Sequence, residues 1–331
     1  MSTRFSPWLA GLGLLFALFI VFSLSLTQGS VQLSWHEFVS ALWKQGDARY
    51  QTIVWDLRLP RVLAALLVGA ALGLSGALLQ GMLRNGLASP FLLGISAGAG
   101  LAAIAILGLG LLKIWLPLGA WLGGVLTIML VYFLARTSTG ISVERLILGG
   151  VALSTLFGAV QSMMLLLSPD GQAQAALSWL IGSLNGRSWQ EISVVGPSIV
   201  VSLFAGCLLA RQLNVLSLGD DLAVGLGASL VRSRILIGAV ATLLAAGAVS
   251  IAGLVGFVGL IVPHGVRRLV GTDYRWVLPF SALGGALVLS SADLLARLGP
   301  TELPVGIVTA VMGVPVFLWL LYRRPGAVGG L

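Results

Sequence analysis

Charge is what this sequence has least of: lysine, arginine, aspartate and glutamate make up 9% of its 331 residues, against about 25% in an ordinary soluble domain. That scarcity excludes a water-exposed globule, because a chain that is 58% hydrophobic has too little polar surface to cover itself. Cysteine is almost missing too. Cys207 stands alone inside an apolar run, which excludes a disulfide framework and a thiolate metal cluster and leaves the redox compartment open. There is no Gly-x-x-x-x-Gly-Lys-Ser/Thr loop, so the chain cannot hydrolyse ATP by itself.

Long uncharged runs take the place of charge. Windows able to cross about 30 Å of hydrocarbon lie near residues 8–27, 59–82, 91–112, 115–135, 146–167, 192–210, 235–262, 276–296 and 303–322. The first exceeds a signal-peptide core and lacks a convincing small-residue cleavage site, so it is kept as a span. The seventh is too long for one crossing, and its second half carries Gly253, Gly256 and Gly259. It is expected to break into a full span ending near Gly247 and a short returning helix from about Val255 to Leu269, an interruption of the kind that marks transport paths. A kinked helix is the competing reading.

The split gives ten helices with both termini cytoplasmic, since Arg4, Arg84, Arg136, Arg145, Arg211, Arg232, Arg234, Arg267, Arg268, Arg275, Arg323 and Arg324 then share one side. The formal charge of +8 therefore reports topology. The basic residues are dispersed between apolar spans, so membrane lipid is an expected partner and nucleic acid is not. The chain reads as one all-α membrane domain, 1–331. A segment at about 168–190, too short to span and holding Trp179 and Trp189, is expected in the outer interface as a helix or a plain loop. At about 214–234 a cytoplasmic segment is expected to form a short helix, with Ser217 as its cap, Asp220 and Asp221 in its first turn and Gly225 or Gly227 at its end.

Small residues recur at helical spacing. In the second span Ala65, Gly69, Gly73, Gly76 and Gln80 form a stripe suited to close helix packing. The fifth span carries Gly150, Ser154, Gly158 and Gln161 on one face, and the tenth carries Gly306, Ala310 and Gly313 with Thr309 alongside. Ser154 and Gln161 would sit badly in lipid, so those faces are expected to look at protein or at water, and a wide pore between the two faces, with all eight residues on the translocation path, is the preferred use. Acidic residues are nearly absent from the spans. Only Asp293 comes close, toward the outer end of the ninth, so an ion-coupled carrier would lack its usual mid-membrane acid.

Motifs then accumulate in order along nearly the whole chain. They are Leu57-Arg58-Leu59-Pro60-Arg61, Gly69 to Gly76 with Gln80, Asn85, Ser89 to Gly100, Gly256 to His264, and Glu302 to Thr309. Together they resemble the FecCD-type transmembrane permease of bacterial ABC importers for iron chelates, haem and cobalamin. The resemblance implies the type II ABC importer permease fold. It implies a dimer in the inner membrane, formed with a second copy or a paralogous permease, whose fifth and tenth helices surround a central path. Two cytoplasmic ATPase subunits lie below it and a periplasmic substrate-binding protein above. It implies no catalytic residue, metal or cofactor on this chain, with ATP and Mg held by the partner ATPase.

By the same resemblance Arg58, Arg61 and Arg297 would receive glutamates of the binding protein; the alternative within the chain is positioning, with Asp56 serving Arg58 and Asp293 serving Arg297. Ser217, Leu218, Gly219, Asp220, Asp221, Leu222, Ala223, Gly225, Leu226 and Gly227 would belong to the ATPase-coupling segment, and Asn85, Leu87, Ser142 and Val143 to a cytoplasmic gate. His264 after Pro263 invites a haem-ligand reading, but Arg267 and Arg268 beside it favour contact with the ATPase or a helix carbonyl. Ferric siderophore is the expected cargo, with haem and cobalamin open. The rival from another class is an ion-coupled secondary transporter built from inverted repeats.

Overall fold

The computed structural model describes residues 7–29, 31, 33–137, 140–299 and 301–322. Arg4, Arg323 and Arg324, used above to orient the termini, lie outside the described residues. In chain order the α-helices are α1 (Pro7–Thr27), α2 (Trp35–Leu42), α3 (Ala48–Thr52), α4 (Leu59–Met82), α5 (Ile95–Gly108), α6 (Leu116–Leu134), α7 (Val143–Leu167) and α8 (Asp170–Ile181), followed by α9 (Trp189–Leu208), α10 (Ala210–Leu216), α11 (Asp220–Gly225), α12 (Leu230–Ala252), α13 (Val258–Val270), α14 (Tyr274–Ala296) and α15 (Val305–Tyr322). Seven helical runs are long and apolar enough to cross a membrane, with α3 and α4 joined in one of them. The shorter apolar helices α5 and α15, with α13, complete the expected ten among the described residues.

The core is α4, buried along most of its length against α12, α13 and α14. The small-residue stripe explains how it gets there. A methyl group at Gly69, Gly73 or Gly76 would collide with the carbonyl oxygens of Gly285, Ser281 and Gly259 respectively, so backbone meets backbone. Ser75 adds a hydrogen bond from its hydroxyl to the Ala241 carbonyl of α12, at 2.7 Å.

The seventh window breaks as expected, at a later residue. Helix α12 runs past Gly247 to Ala252, because Gly247 is a contact point for Ile199 and Val195 of α9 and not a terminator. The turn comes at Gly253 (φ 73°), and Phe257 (φ 67°) starts the return as α13. A bulky residue at positive φ is strained, and the neighbouring packing must hold it there. The helix α8 forms within the segment expected at the outer interface. Three glycines join α8, the α12–α13 turn and the start of α15: a methyl group at Gly182 would strike Leu254 O, one at Gly253 Trp179 O, and one at Gly306 Ile181 O.

Residues 48–58 differ from the expectation of a span beginning at Leu59. Helix α3 continues through a π-helical turn, Ile53–Arg58, directly into α4. The wider turn faces Arg58 toward the end of α1. In the segment 214–234 Ser217 does not cap the short helix. Gly219 (φ 108°) precedes α11, and the Ser217 hydroxyl donates to the Asn214 carbonyl instead, because it closes the turn after α10.

Candidate functional site

At one end of the helix bundle the three arginines singled out by sequence converge, and none stands free in water: Arg58, Arg61 and Arg297 are 7%, 8% and 8% exposed. Arg58 donates to the carbonyls of Leu26 (2.7 Å), Thr27 (2.9 Å) and Val31, and so caps the C-terminal end of α1, where a cation meets the negative pole of the helix. Asp56 is not its hydrogen-bond partner. Arg61 donates from Nε to both oxygens of Asp293 at 3.1 and 3.2 Å, and its other nitrogens lie 3.0 Å from Asp293 Oδ1 and 3.0 Å from Glu302 Oε2. Arg297 Nε sits 3.3 Å from Asp293 Oδ2, the pairing that sequence offered, and its Nη1 donates to the Ser25 carbonyl at 3.2 Å. Asp293, at 1% exposure, thus serves two guanidinium groups.

These side chains floor a cleft of about 300 Å³ whose wall also includes Asp56, Arg187 and Glu302. Sequence reading passed over Arg187. It lies in the loop after α8, where burial holds its guanidinium below the ordinary value while Glu191 at 3.8 Å opposes the shift. Glu302 also lines a second cleft of about 560 Å³, with Trp179, Arg187 and Pro304. Arg58, Arg61, Arg187 and Arg297 thus meet in one concave cleft, with Asp56 and Glu302 on its wall and Asp293 and Glu191 paired to the arginines.

The two small-residue faces have different surroundings. On α7, Ser154 donates to its own Gly150 carbonyl (2.7 Å) and Gln161 to the Ala97 carbonyl of α5 (2.7 Å), while Gly150 packs on Leu92 and Leu93. That face is seated on its own subunit, whereas Gly158 has open space around it. The opposite face, with Leu148, Val151, Leu156, Met163 and Leu166, is exposed. On α15, Gly306 packs at the outer glycine junction, Thr309 donates to the Gly306 carbonyl (3.0 Å), Gly313 packs on Phe257, and Ala310 is half-buried between them. Val311, Met312 and Leu318 face outward.

At the opposite end α11 presents Leu222, Val224 and, just beyond it, Leu226, with Leu218 before it, all more than half exposed. Ala223 is buried beneath them, Asp221 and Gly225 are exposed, and Gly227 (φ 80°) turns the chain after the helix. The carboxylate of Asp220 bridges Arg84 (2.9 Å) and Arg234 (2.8 Å). Arg232 does not enter that bridge. Nearby, Asn214 holds α10 to the head of α14 by donating to Asp273 (2.7 Å) and accepting from the Tyr274 N–H (3.0 Å). The four expected gate residues occupy two turns. Asn85 accepts from the Leu87 N–H (2.8 Å), and Ser142 caps α7 by accepting from Arg145, with Val143 packed against the core.

Known proteins match this arrangement over nearly its full length. The sequence model of the FecCD transport family matches residues 16–323. The chain is 38% identical to the hemin transport system permease protein HmuU of Yersinia pestis, covering 98% of each chain. It is 42% identical to the cobalamin import system permease protein BtuC of Halobacterium salinarum, over 83% of this chain and 74% of that one. Among solved structures, a metal-chelate type ABC transporter in an inward-facing conformation superimposes with a TM-score of 0.86 at 33% identity, covering 94% of this chain and 98% of the other.

Proposed function

The chain belongs to the FecCD transport family, and on that premise we propose that it is the translocating subunit of an ATP-driven importer carrying an iron chelate, a ferric siderophore first among them, into the cytoplasm. It works as a dimer in the bacterial inner membrane with both termini cytoplasmic. A substrate-binding protein docks on the outer arginine cleft, and two ATPase subunits grip the exposed apolar side chains of α11. ATP and Mg belong to those subunits, and this chain contributes no catalytic group. The exposed faces of α7 and α15, with Gly158, line the path between the two copies, and the Asn85–Leu87 and Ser142–Val143 turns close it on the inner side.

One observation carries the reading: a concave arginine cluster at one end of the helix bundle and an exposed apolar helix at the other. Among the described residues Asp293 is the one buried carboxylate of the spans, and it is already paired with Arg61 and Arg297, which supports ATP over an ion gradient as the source of energy. Cargo is tested by reconstituting the chain with its ATPase and binding protein and offering a ferric siderophore, haem and cobalamin in turn. ATP-dependent accumulation of the siderophore supports the proposal; accumulation of haem or cobalamin alone would keep the importer and reassign its cargo.

A further inference from the structure

Arg84 occupies a backbone position that its side chain should not favour. Helix α4 ends after Met82 in a pattern where the Asn85 N–H reaches the Gln80 carbonyl (3.1 Å) and the Arg84 N–H the Gly81 carbonyl (3.3 Å). The residue at this point must be left-handed, and Arg84 has φ 49°. Glycine is the unstrained choice there, so an arginine calls for a reason. Its guanidinium supplies one, passing over Gly219 to reach Asp220 Oδ1 at 2.9 Å. The second oxygen of the same carboxylate meets Arg234, in the first turns of α12, at 2.8 Å.

We infer that Arg84 is a positioning residue: with Arg234 it clamps Asp220, so that the coupling helix α11 and the inner ends of α4 and α12 move as one body. This rests on the importer reading and goes beyond it, naming what fastens the ATPase-facing helix to the transmembrane core. Arg84 and Asp220 have side chains 43% and 35% exposed, and ion pairs so exposed add little to stability. Orientation is the use that remains for them. The Tyr132 hydroxyl, donating to the Arg234 carbonyl at 3.2 Å, ties α6 to the same point.

The clamp sits at the end of a long lever. Helix α12 has 23 residues, about 35 Å at 1.5 Å each. At its far end the Ala252 carbonyl accepts from the Ser183 N–H (2.8 Å), and next to it the Gly306 N–H donates to the Gly182 carbonyl (3.0 Å). A displacement of α11 is therefore carried through α12 to the junction where α8 meets the start of α15, the outer mouth of the proposed path. The coupling runs through contiguous packed elements, each fixed to the next by a named contact.

The test uses the full complex with its ATPase subunits and binding protein in proteoliposomes, measuring cargo moved per ATP hydrolysed, with thermal stability alongside. Arg84→Gly relieves the backbone strain, so the melting temperature should hold or rise, while cargo per ATP falls about tenfold. Arg84→Lys, which keeps the charge, should retain the ratio to within about threefold. A purely structural role predicts no loss in Arg84→Gly, so a wild-type ratio in that variant overturns the clamp. Failure of that variant to retain the ATPase subunits also overturns it, by making Arg84 part of the interface. If the wild-type complex hydrolyses ATP and imports no chelate, the importer reading itself fails.

Discussion

Asp293 sits between Arg61 and Arg297, and what its removal does separates the importer from an ion-coupled carrier less cleanly than sequence suggests. Asp293→Asn leaves the buried Arg297 without its counter-charge and Arg61 with Glu302 alone, so it should destabilise the protein by about 3–5 kcal/mol, read as a lower melting temperature in detergent. Glu302→Gln, at a side chain 38% exposed, should cost no more than about 1 kcal/mol. Equal losses would contradict the assigned burial. Under the docking proposal Glu302 competes with an incoming carboxylate for Arg61, so Glu302→Gln should also tighten binding-protein association, and unchanged affinity counts against docking at Arg61. Sequence exposed only part of this cluster. Asp293 and Arg297 are four apart on one helix and legible as a pair. Arg61 and Asp293 are 232 positions apart, and only the fold brings them together. Reversing Arg58 or Arg61 to Glu would break internal contacts as well as any contact with a docked partner, so such a variant cannot test docking by itself.

Among the elements, glycines that look alike in sequence do different work, which is why helix number was legible and helix ends were not. Hydropathy marks the spans, but Gly247 is a packing contact and Gly253 a terminator, a difference set by Ile199 and by the φ of the backbone. The entry of α4 was hidden for another reason, since residues 48–58 mix polar and apolar side chains while still forming continuous helix. Two substitutions separate the roles. Gly73→Val drives a side chain into Ser281 and should cost about 1–3 kcal/mol or more, seen as reduced yield and melting temperature. Gly158→Val meets open space and should leave the melting temperature alone while slowing uptake; a large loss of stability would place that face in packing instead. At the head of α14, the Arg275 N–H and then Asn214 hold the Asp273 carboxyl below the usual carboxylate range. A depressed carboxylate stabilises the fold above its unfolded pKa and stops doing so as pH falls through the folded value. The stability gap between wild type and Asp273→Ala should therefore narrow below about pH 4, and a gap that widened there would reverse the assignment.

For the whole molecule, the family, the all-helical membrane fold and its ten crossings were readable because lipid forces long apolar runs and the motifs stand in order along them. The partner surfaces were readable only as residue types. Folding turns the arginines offered by sequence as docking residues into a buried, internally bonded cleft, and it seats the polar stripe of α7 on α5. The central claim is that movement between the two ends is driven by ATP bound to partner subunits and not by an ion gradient. The most direct measurement is chelate uptake into sealed proteoliposomes holding this chain and the ATPase, with the binding protein on the outer side. The account predicts uptake with ATP at the ATPase face whether or not proton and sodium gradients are collapsed, and none when the ATPase is omitted. Uptake that persists without the ATPase and vanishes when the gradients are collapsed would contradict it.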